Sequence, residues 1–268
     1  MNQNLFAQLA RTNTPADAPF VTIQPATTYT YGQIWDASAR FASALKSAGL
    51  APGDRVAVQV EKSPEALLLY LACLRAGAAI LPLNTDYTPR EVGYFLANAG
   101  ARIFICTPGR EDDFAEIAPQ AGVSRVLTLG EQGDGTLIEA SRGKGEAFEA
   151  AAVAPNDLAA ILYTSGTTGV SKGAMLSHEN LASNARVLVD YWRFTGDDVL
   201  LHPLPVYHTH GLFVATNVCL MAGCSMLFMP RFSAAEALRL LPGATAMMGV
   251  PTHYLRMLAE PGLTRDLV

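Results

Sequence analysis

No dense run of lysine and arginine occurs anywhere in the 268 residues. The 19 basic side chains are outnumbered by 24 acidic ones, for a net charge of −5. A general nucleic-acid binder shows a basic surplus on one face, so that class is set aside. Cysteine is scarce as well. Cys73, Cys106, Cys219 and Cys224 form no Cys-x-x-Cys pair, and none is followed by histidine at metal-ligand spacing. They read as buried free thiols in a reducing cytoplasm, not as a disulfide framework or a zinc site. The N-terminal Met-Asn-Gln-Asn-Leu-Phe-Ala-Gln has no basic region followed by an apolar stretch, so no secretory signal is expected. The apolar stretch 66–83 is broken by Arg75, Gly77 and Pro82, which argues against a membrane span. Internal repeats and low-complexity linkers are missing too.

What is present is a composition for a sizeable core: half the residues are hydrophobic and only 16% are charged. Helical and strand patterns alternate. The apolar spacing of residues 31–46 predicts an amphipathic helix ended by Gly49, and 55–60 a short strand. Ser63-Pro64-Glu65 reads as an N-cap, a first-turn proline and a first-turn acid, opening a helix that runs to about Ala76 and stops at Gly77. Residues 78–83 form the next predicted strand. Thr88-Pro89-Arg90-Glu91 fits a capping box for a helix ending near Asn98. Strands are expected at 102–106 and, after a helix, at 125–129. This alternation predicts an α/β fold of largely parallel sheets with helices on both faces.

Residues 130–154 are rich in Gly, Glu and Ala and weakly patterned, and read as an exposed excursion. Strong patterning resumes at Asp157 with a strand, a glycine-rich loop, a helix over 178–192 and a strand over 199–202. A second βα series covers 210–258. Two intimately packed α/β subdomains are expected, roughly 1–155 and 156–268.

The richest chemistry lies in Tyr163-Thr164-Ser165-Gly166-Thr167-Thr168-Gly169-Val170-Ser171-Lys172-Gly173, which follows the apolar run 158–162. Its glycines allow tight turns with backbone N–H groups turned toward an anion. Five hydroxyls add donors, and Lys172 adds a point charge for phosphate oxygens. It is not a Walker A loop, because only two residues separate Gly169 from Lys172. A flexible Gly/Ser/Thr loop with an incidental lysine is the alternative that composition alone leaves open. A second segment, Leu204-Pro205-Val206-Tyr207-His208-Thr209-His210-Gly211-Leu212, places two histidines between a strand and an apolar helix, where open α/β sheets hold ligands. A third, Met248-Gly249-Val250-Pro251-Thr252, fits a strand-to-helix turn, or simply a helix start.

The order of residues in the first segment resembles the signature loop of the adenylate-forming superfamily: acyl-CoA synthetases, carrier-protein adenylation domains and luciferases. The resemblance implies the N-terminal part of that superfamily's large domain, phosphate binding by Thr164, Ser165, Gly166, Thr167, Thr168, Gly169 and Lys172, and contact of the Thr164 or Thr167 hydroxyl with Mg²⁺. It implies ATP, Mg²⁺ and coenzyme A as cofactors or co-substrates. A carboxylate attacks the α-phosphate, pyrophosphate leaves, and the thiol of coenzyme A then displaces AMP. His208 takes the gating position of the acyl site as the catalytic and substrate residue. His210, Val250 and Pro251 join it on the substrate side. Across the whole chain, segments such as Glu61-Lys62-Ser63-Pro64-Glu65 and Asp190-Tyr191-Trp192-Arg193-Phe194 are similar to the malonyl-CoA synthetase branch.

A malonate dianion would bring a second carboxylate needing a cation or donors, which a histidine at the gate suits. Malonate or methylmalonate is the expected acid, and another short or a medium-chain acid the alternative. Val268 falls about halfway along a full-length family member. The later Tyr-Gly-x-Thr-Glu motif, the ribose-binding aspartate and the C-terminal lysine are not in the chain. It is therefore expected to be an incomplete fragment that binds nucleotide weakly and does not complete the reaction alone. A carrier-protein adenylation domain and a non-catalytic nucleotide-binding module are the competing readings. Oligomeric state is not addressed by any of these residues.

Overall fold

The computed structural model describes residues 2–23, 27–164, 171–264 and 267. Among them are eleven strands: β1 (Pro19–Ile23), β2 (Thr27–Thr30), β3 (Arg55–Gln59), β4 (Ala79–Pro82), β5 (Ile103–Cys106), β6 (Arg125–Thr128), β7 (Leu158–Thr164), β8 (Lys172–Ser177), β9 (Val199–His202), β10 (Ser225–Phe228) and β11 (Ala246–Met247). The chain divides into two compact units, 1–10 with 35–183, and 11–34 with 184–268. The division expected near residue 155 lies inside the first unit, because β7 and β8 continue its sheet.

The first unit holds a six-stranded sheet in the order β6-β5-β3-β4-β7-β8, parallel except for the β7–β8 pair. The step from β3 to β4 and the step from β4 to β5 run in opposite directions across the sheet. Right-handed crossovers then put the two connecting helices on opposite faces. Local chemistry builds those helices as expected. Ser63 caps the helix Pro64–Arg75 by accepting from Ala66 N–H at 3.1 Å, and Gly77 ends it at φ +72°. The helix Pro89–Ala99 opens with a complete Thr88/Glu91 capping box. Beneath it Val92, Phe95 and Leu96 pack with Leu81, Phe104 and Phe114. The helix Pro64–Arg75 is apolar nearly all round and buried from Ala66 to Leu74, as a helix enclosed by its own unit must be.

Three expectations are corrected here. The helix predicted before β6 is only a three-residue turn, Asp112–Phe114, and a single helical turn, Ile117–Gln120. A strand, β8, stands between the glycine-rich loop and the helix His178–Trp192, so Lys172 begins a strand. The excursion 130–154 is not simply exposed. It contains the helix Thr136–Ser141, with Leu137 fully buried, and its far end is strapped down. Ala151 N–H donates to Arg75 O at 2.9 Å. Asn4 Nδ2 donates to Ala151 O at 3.0 Å, and Arg75 Nε to Phe148 O at 2.5 Å. These partners are distant in sequence and leave no periodic trace.

The second unit holds a five-stranded sheet in the order β11-β9-β10-β1-β2, parallel except for β1–β2. Its core gathers Leu201, Met229, Ala237, Leu238 and Met257. All four cysteines are free and buried, as expected, and burial pushes the Cys73 thiol far above its ordinary pKa.

A buried titratable group sits at the start of the helix His178–Trp192. His178 is fully buried, and its Nδ1 accepts from Leu5 N–H at 3.1 Å. Burial lowers its pKa from 6.5 to about 4, against a smaller upward pull from Asp157. The folded state then binds fewer protons than the unfolded state between those two values. Stability contributed by neutral His178 is complete above pH 6.5 and declines as the pH falls toward 4. We expect a loss of about 3 kcal/mol across that window from this group. Thermal melts at pH 7, 5.5 and 4.5 check it: His178→Asn keeps an acceptor without titrating and should flatten the profile. An unchanged slope in the variant would assign the acid sensitivity elsewhere.

Candidate active site

The first unit brings Thr164 and Lys172 face to face. β7 leaves the core through buried Ala159, Ala160 and Ile161 and ends at exposed Thr164. β8 returns antiparallel, with Lys172 opposite Thr164 and Gly173 opposite Tyr163. A Cβ at Gly173 would lie 3.0 Å from Ile161 Cγ2 and 3.3 Å from the Tyr163 ring, so the tyrosine lies across a position suited to glycine. The Lys172 side chain is exposed at the mouth of this hairpin. Ser165, Gly166, Thr167, Thr168 and Gly169, expected to cradle phosphate, lie outside the described residues.

The second unit carries the histidines. β9 runs Val-Leu-Leu-His into the segment Pro203 to His210, and the chain then enters a wide π-turn, His210–Ala215, before the helix Thr216–Ala222. Such i→i+5 turns occur frequently at functional sites. His208 is exposed, with its ring edge-on to Tyr207 at 4.6 Å between centroids. His210 is half-buried. Partial burial pulls both imidazoles below their ordinary pKa, so both are neutral at pH 7.

What sets this loop was not singled out from the sequence. His202 is fully buried at the end of β9 and donates Nε2–H to Gly211 O at 2.9 Å, a carbonyl that also accepts from Thr216 Oγ1 at 3.2 Å. A carbonyl can only accept, so His202 carries a proton on Nε2 in this contact. A polar residue closing an otherwise apolar strand was the available signal. Gly211 is confined as tightly: a Cβ there would lie 2.0 Å from Pro205 O. Val250 and Pro251 are exposed at the start of the helix Pro251–Leu258, with Pro251 in its first turn. Nearby, His253 stacks on Phe232 at 4.2 Å, and the Arg256 guanidinium lies 4.9 Å from the same ring centre.

The family model described as AMP-binding enzyme matches residues 7–267. The chain belongs to the AMP-binding enzyme family. The fatty acid–[acyl-carrier-protein] ligase ScoC of Streptomyces coeruleorubidus is 35% identical over 248 residues, which are 88% of this chain and 46% of that protein. 4-Coumarate–CoA ligase 3 of Oryza sativa subsp. japonica is 32% identical over 250 residues, 91% of this chain and 45% of that one. Among solved structures, ATP-bound MatB from Rhodopseudomonas palustris superposes with a TM-score of 0.96 at 51% identity, over 100% of this chain and 53% of that chain. The chain spans about half the length of the relatives it matches.

A cavity of about 560 Å³ in the second unit is lined by Leu241, Met247, Met257 and Leu263, with Thr245 and Tyr254 among its few polar groups. None of the expected site residues lines it, and no charged side chain there matches a phosphate or a dicarboxylate. Among the described residues, no group of three or more His, Cys, Asp or Glu is placed to hold a metal ion. Thr164 offers one neutral hydroxyl. A single hydroxyl fits a magnesium ion held mainly by nucleotide phosphates. No described helix is long and apolar enough to cross a membrane.

Proposed function

We propose that this chain belongs to an ATP-dependent carboxylic acid–CoA ligase, and that it handles the nucleotide phosphates and the acid. The observation that carries the reading is the register of β7 and β8, which puts Thr164 and Lys172 opposite each other at the two ends of the Ser/Thr/Gly segment. Lys172 supplies charge to the β- and γ-phosphates, and Ser165, Gly166, Thr167, Thr168 and Gly169 supply hydroxyl and backbone donors. The Thr164 or Thr167 hydroxyl meets the magnesium of MgATP, which offsets the repulsion between a carboxylate and a highly charged nucleotide. The acid attacks the α-phosphate, pyrophosphate departs, and coenzyme A releases the acyl group from AMP. Four buried thiols support placement in a reducing cytoplasm.

Malonate or methylmalonate is the acid we favour. Support comes from the 51% identity to MatB and from the gating position of His208. His208 offers a dicarboxylate an N–H donor, and a bound carboxylate would itself draw the imidazole pKa upward against the lowering caused by burial. His210, Val250 and Pro251 are assigned to the acyl side. The named acids of other relatives, fatty and cinnamic, keep a second acid class in view.

Pyrophosphate release by the full-length protein with malonate, methylmalonate, acetate and octanoate tests this. Malonate or methylmalonate should lead. A lead by octanoate overturns the acid assignment, and no turnover with any acid overturns the ligase. His208→Leu is expected to lower kcat/KM for malonate about tenfold, the loss of one hydrogen bond to a charged group, while octanoate turnover holds or rises. An equal fall for both acids would remove His208 from acid selection.

A further inference from the structure

The two ends of the phosphate segment are held by one face of one helix. In Pro89–Ala99, Tyr94 and Asn98 stand one turn apart and so point the same way. Tyr94 Oη donates to Ser171 O at 3.0 Å, at the residue just before Lys172. Asn98 Oδ1 accepts from Tyr163 Oη at 2.5 Å, at the residue just before Thr164. One helical turn therefore touches β7 and the residue that leads into β8, immediately beside the two groups assigned to phosphate.

The contact is backed by packing. Phe95, between the two, lies 4.5 Å from the Tyr163 ring, and Tyr87 lies 5.0 Å from Phe95. Tyr94 completes the cluster at 6.2 Å from Tyr163. Burial and the neighbouring Tyr94 raise the Tyr163 pKa, so its phenol stays a donor through the physiological range. Behind the helix, a Cβ on Gly93 would lie 2.7 Å from Ile117 Cγ2, which shows how closely it is pressed from the other side. Its capping box fixes its first turn. A helix pinned at its start, its back and its buried face is a rigid support, and rigid support is what a binding constellation needs.

The Tyr94 bond adds little that the fold requires. Tyr94 is 40% exposed, while β7 and β8 are already joined by their own ladder over six register pairs. Its evident consequence is the position of the Ser171 carbonyl, and through it the place where Lys172 enters the sheet.

We propose that Tyr94 and Asn98 are positioning residues for nucleotide binding: they set the separation and orientation of the strand ends that carry Thr164 and Lys172. The proposal rests on the phosphate-binding reading given above. It is tested by the dissociation constant for MgATP, measured by titration calorimetry on the full-length protein without acid, alongside Tm for each variant. Tyr94→Phe and Asn98→Ala should each weaken MgATP about fivefold, the scale of one hydrogen bond. Tyr163→Phe, which removes the same bond from its other end, should weaken MgATP to the same extent as Asn98→Ala. Variants that lose Tm but keep MgATP affinity within twofold would make these contacts structural only and overturn the proposal. Lys172→Ala in the same titration separates the two readings. If it weakens MgATP while the helix variants do not, only the positioning falls. If Lys172→Ala has no effect, or the unaltered protein binds no MgATP, the phosphate reading falls and takes the positioning with it.

Discussion

Lys172→Ala is expected to lower ATP-dependent pyrophosphate release about 100-fold, the usual cost of removing one group aimed at charge that develops in a transition state. The physical case is that Lys172 has no structural task to explain it. Its side chain is exposed at the first residue of β8, and among the described residues its ammonium has no ion-pair partner. Its backbone pairs with Thr164 in the ladder, which alanine preserves. Removal should therefore leave Tm within roughly 1 °C, as for surface substitutions generally, and any loss of turnover reads as lost chemistry. Lys172→Arg keeps the charge but replaces a compact ammonium with a planar fork, and should recover only part of the activity. Turnover of Lys172→Ala within threefold of the parent would return the segment to a flexible loop with an incidental lysine.

Gly211→Ala should destabilise the protein by about 3 kcal/mol, at the severe end for a single added methyl. The new Cβ would lie 2.0 Å from Pro205 O and 2.9 Å from its carbonyl carbon, so backbone must move and not a side-chain tip. Whichever strand of chain yields, the His202 and Thr216 bonds to Gly211 O are disturbed with it. The segment carrying His208 and His210 shifts in consequence. A Tm lower by roughly 6–12 °C is expected, and acid turnover should fall further than the folded fraction explains. Gly145→Ala is the control, because a Cβ there meets nothing within 4 Å. Equal Tm values for the two variants would contradict the crowding argument.

The elements that could be read in advance were those with local causes. The Ser63 cap, the Thr88/Glu91 box and the stop at Gly77 are short-range hydrogen bonds and backbone preferences, so their positions follow from neighbouring residues. The segment Tyr163 to Gly173 stood out by the order of its residues alone, and most of it lies outside the described residues. The strap at 148–151 was not legible, because Asn4 and Arg75 hold it from far along the chain, and the short helix Thr136–Ser141 hangs on Thr128, eight residues before its first residue. β8 was missed for a related reason. Residues Lys172 to Met175 are exposed and show no two-residue alternation, so their strand character comes from pairing with β7.

The same distinction applies to function. By itself, the sequence determined the family, the residue types available to phosphate and acid, and the alternation of strands and helices, since these depend on composition and nearest neighbours. Only the tertiary structure decided that Thr164 and Lys172 share one register position, that Tyr94 and Asn98 reach the residues beside them, and that buried His202 holds the carbonyl of Gly211. Those facts join residues separated by 8 to 77 positions, and no local rule of the chain sets such distances. They are settled by strand pairing, by burial, and by the need of each buried polar group for a partner.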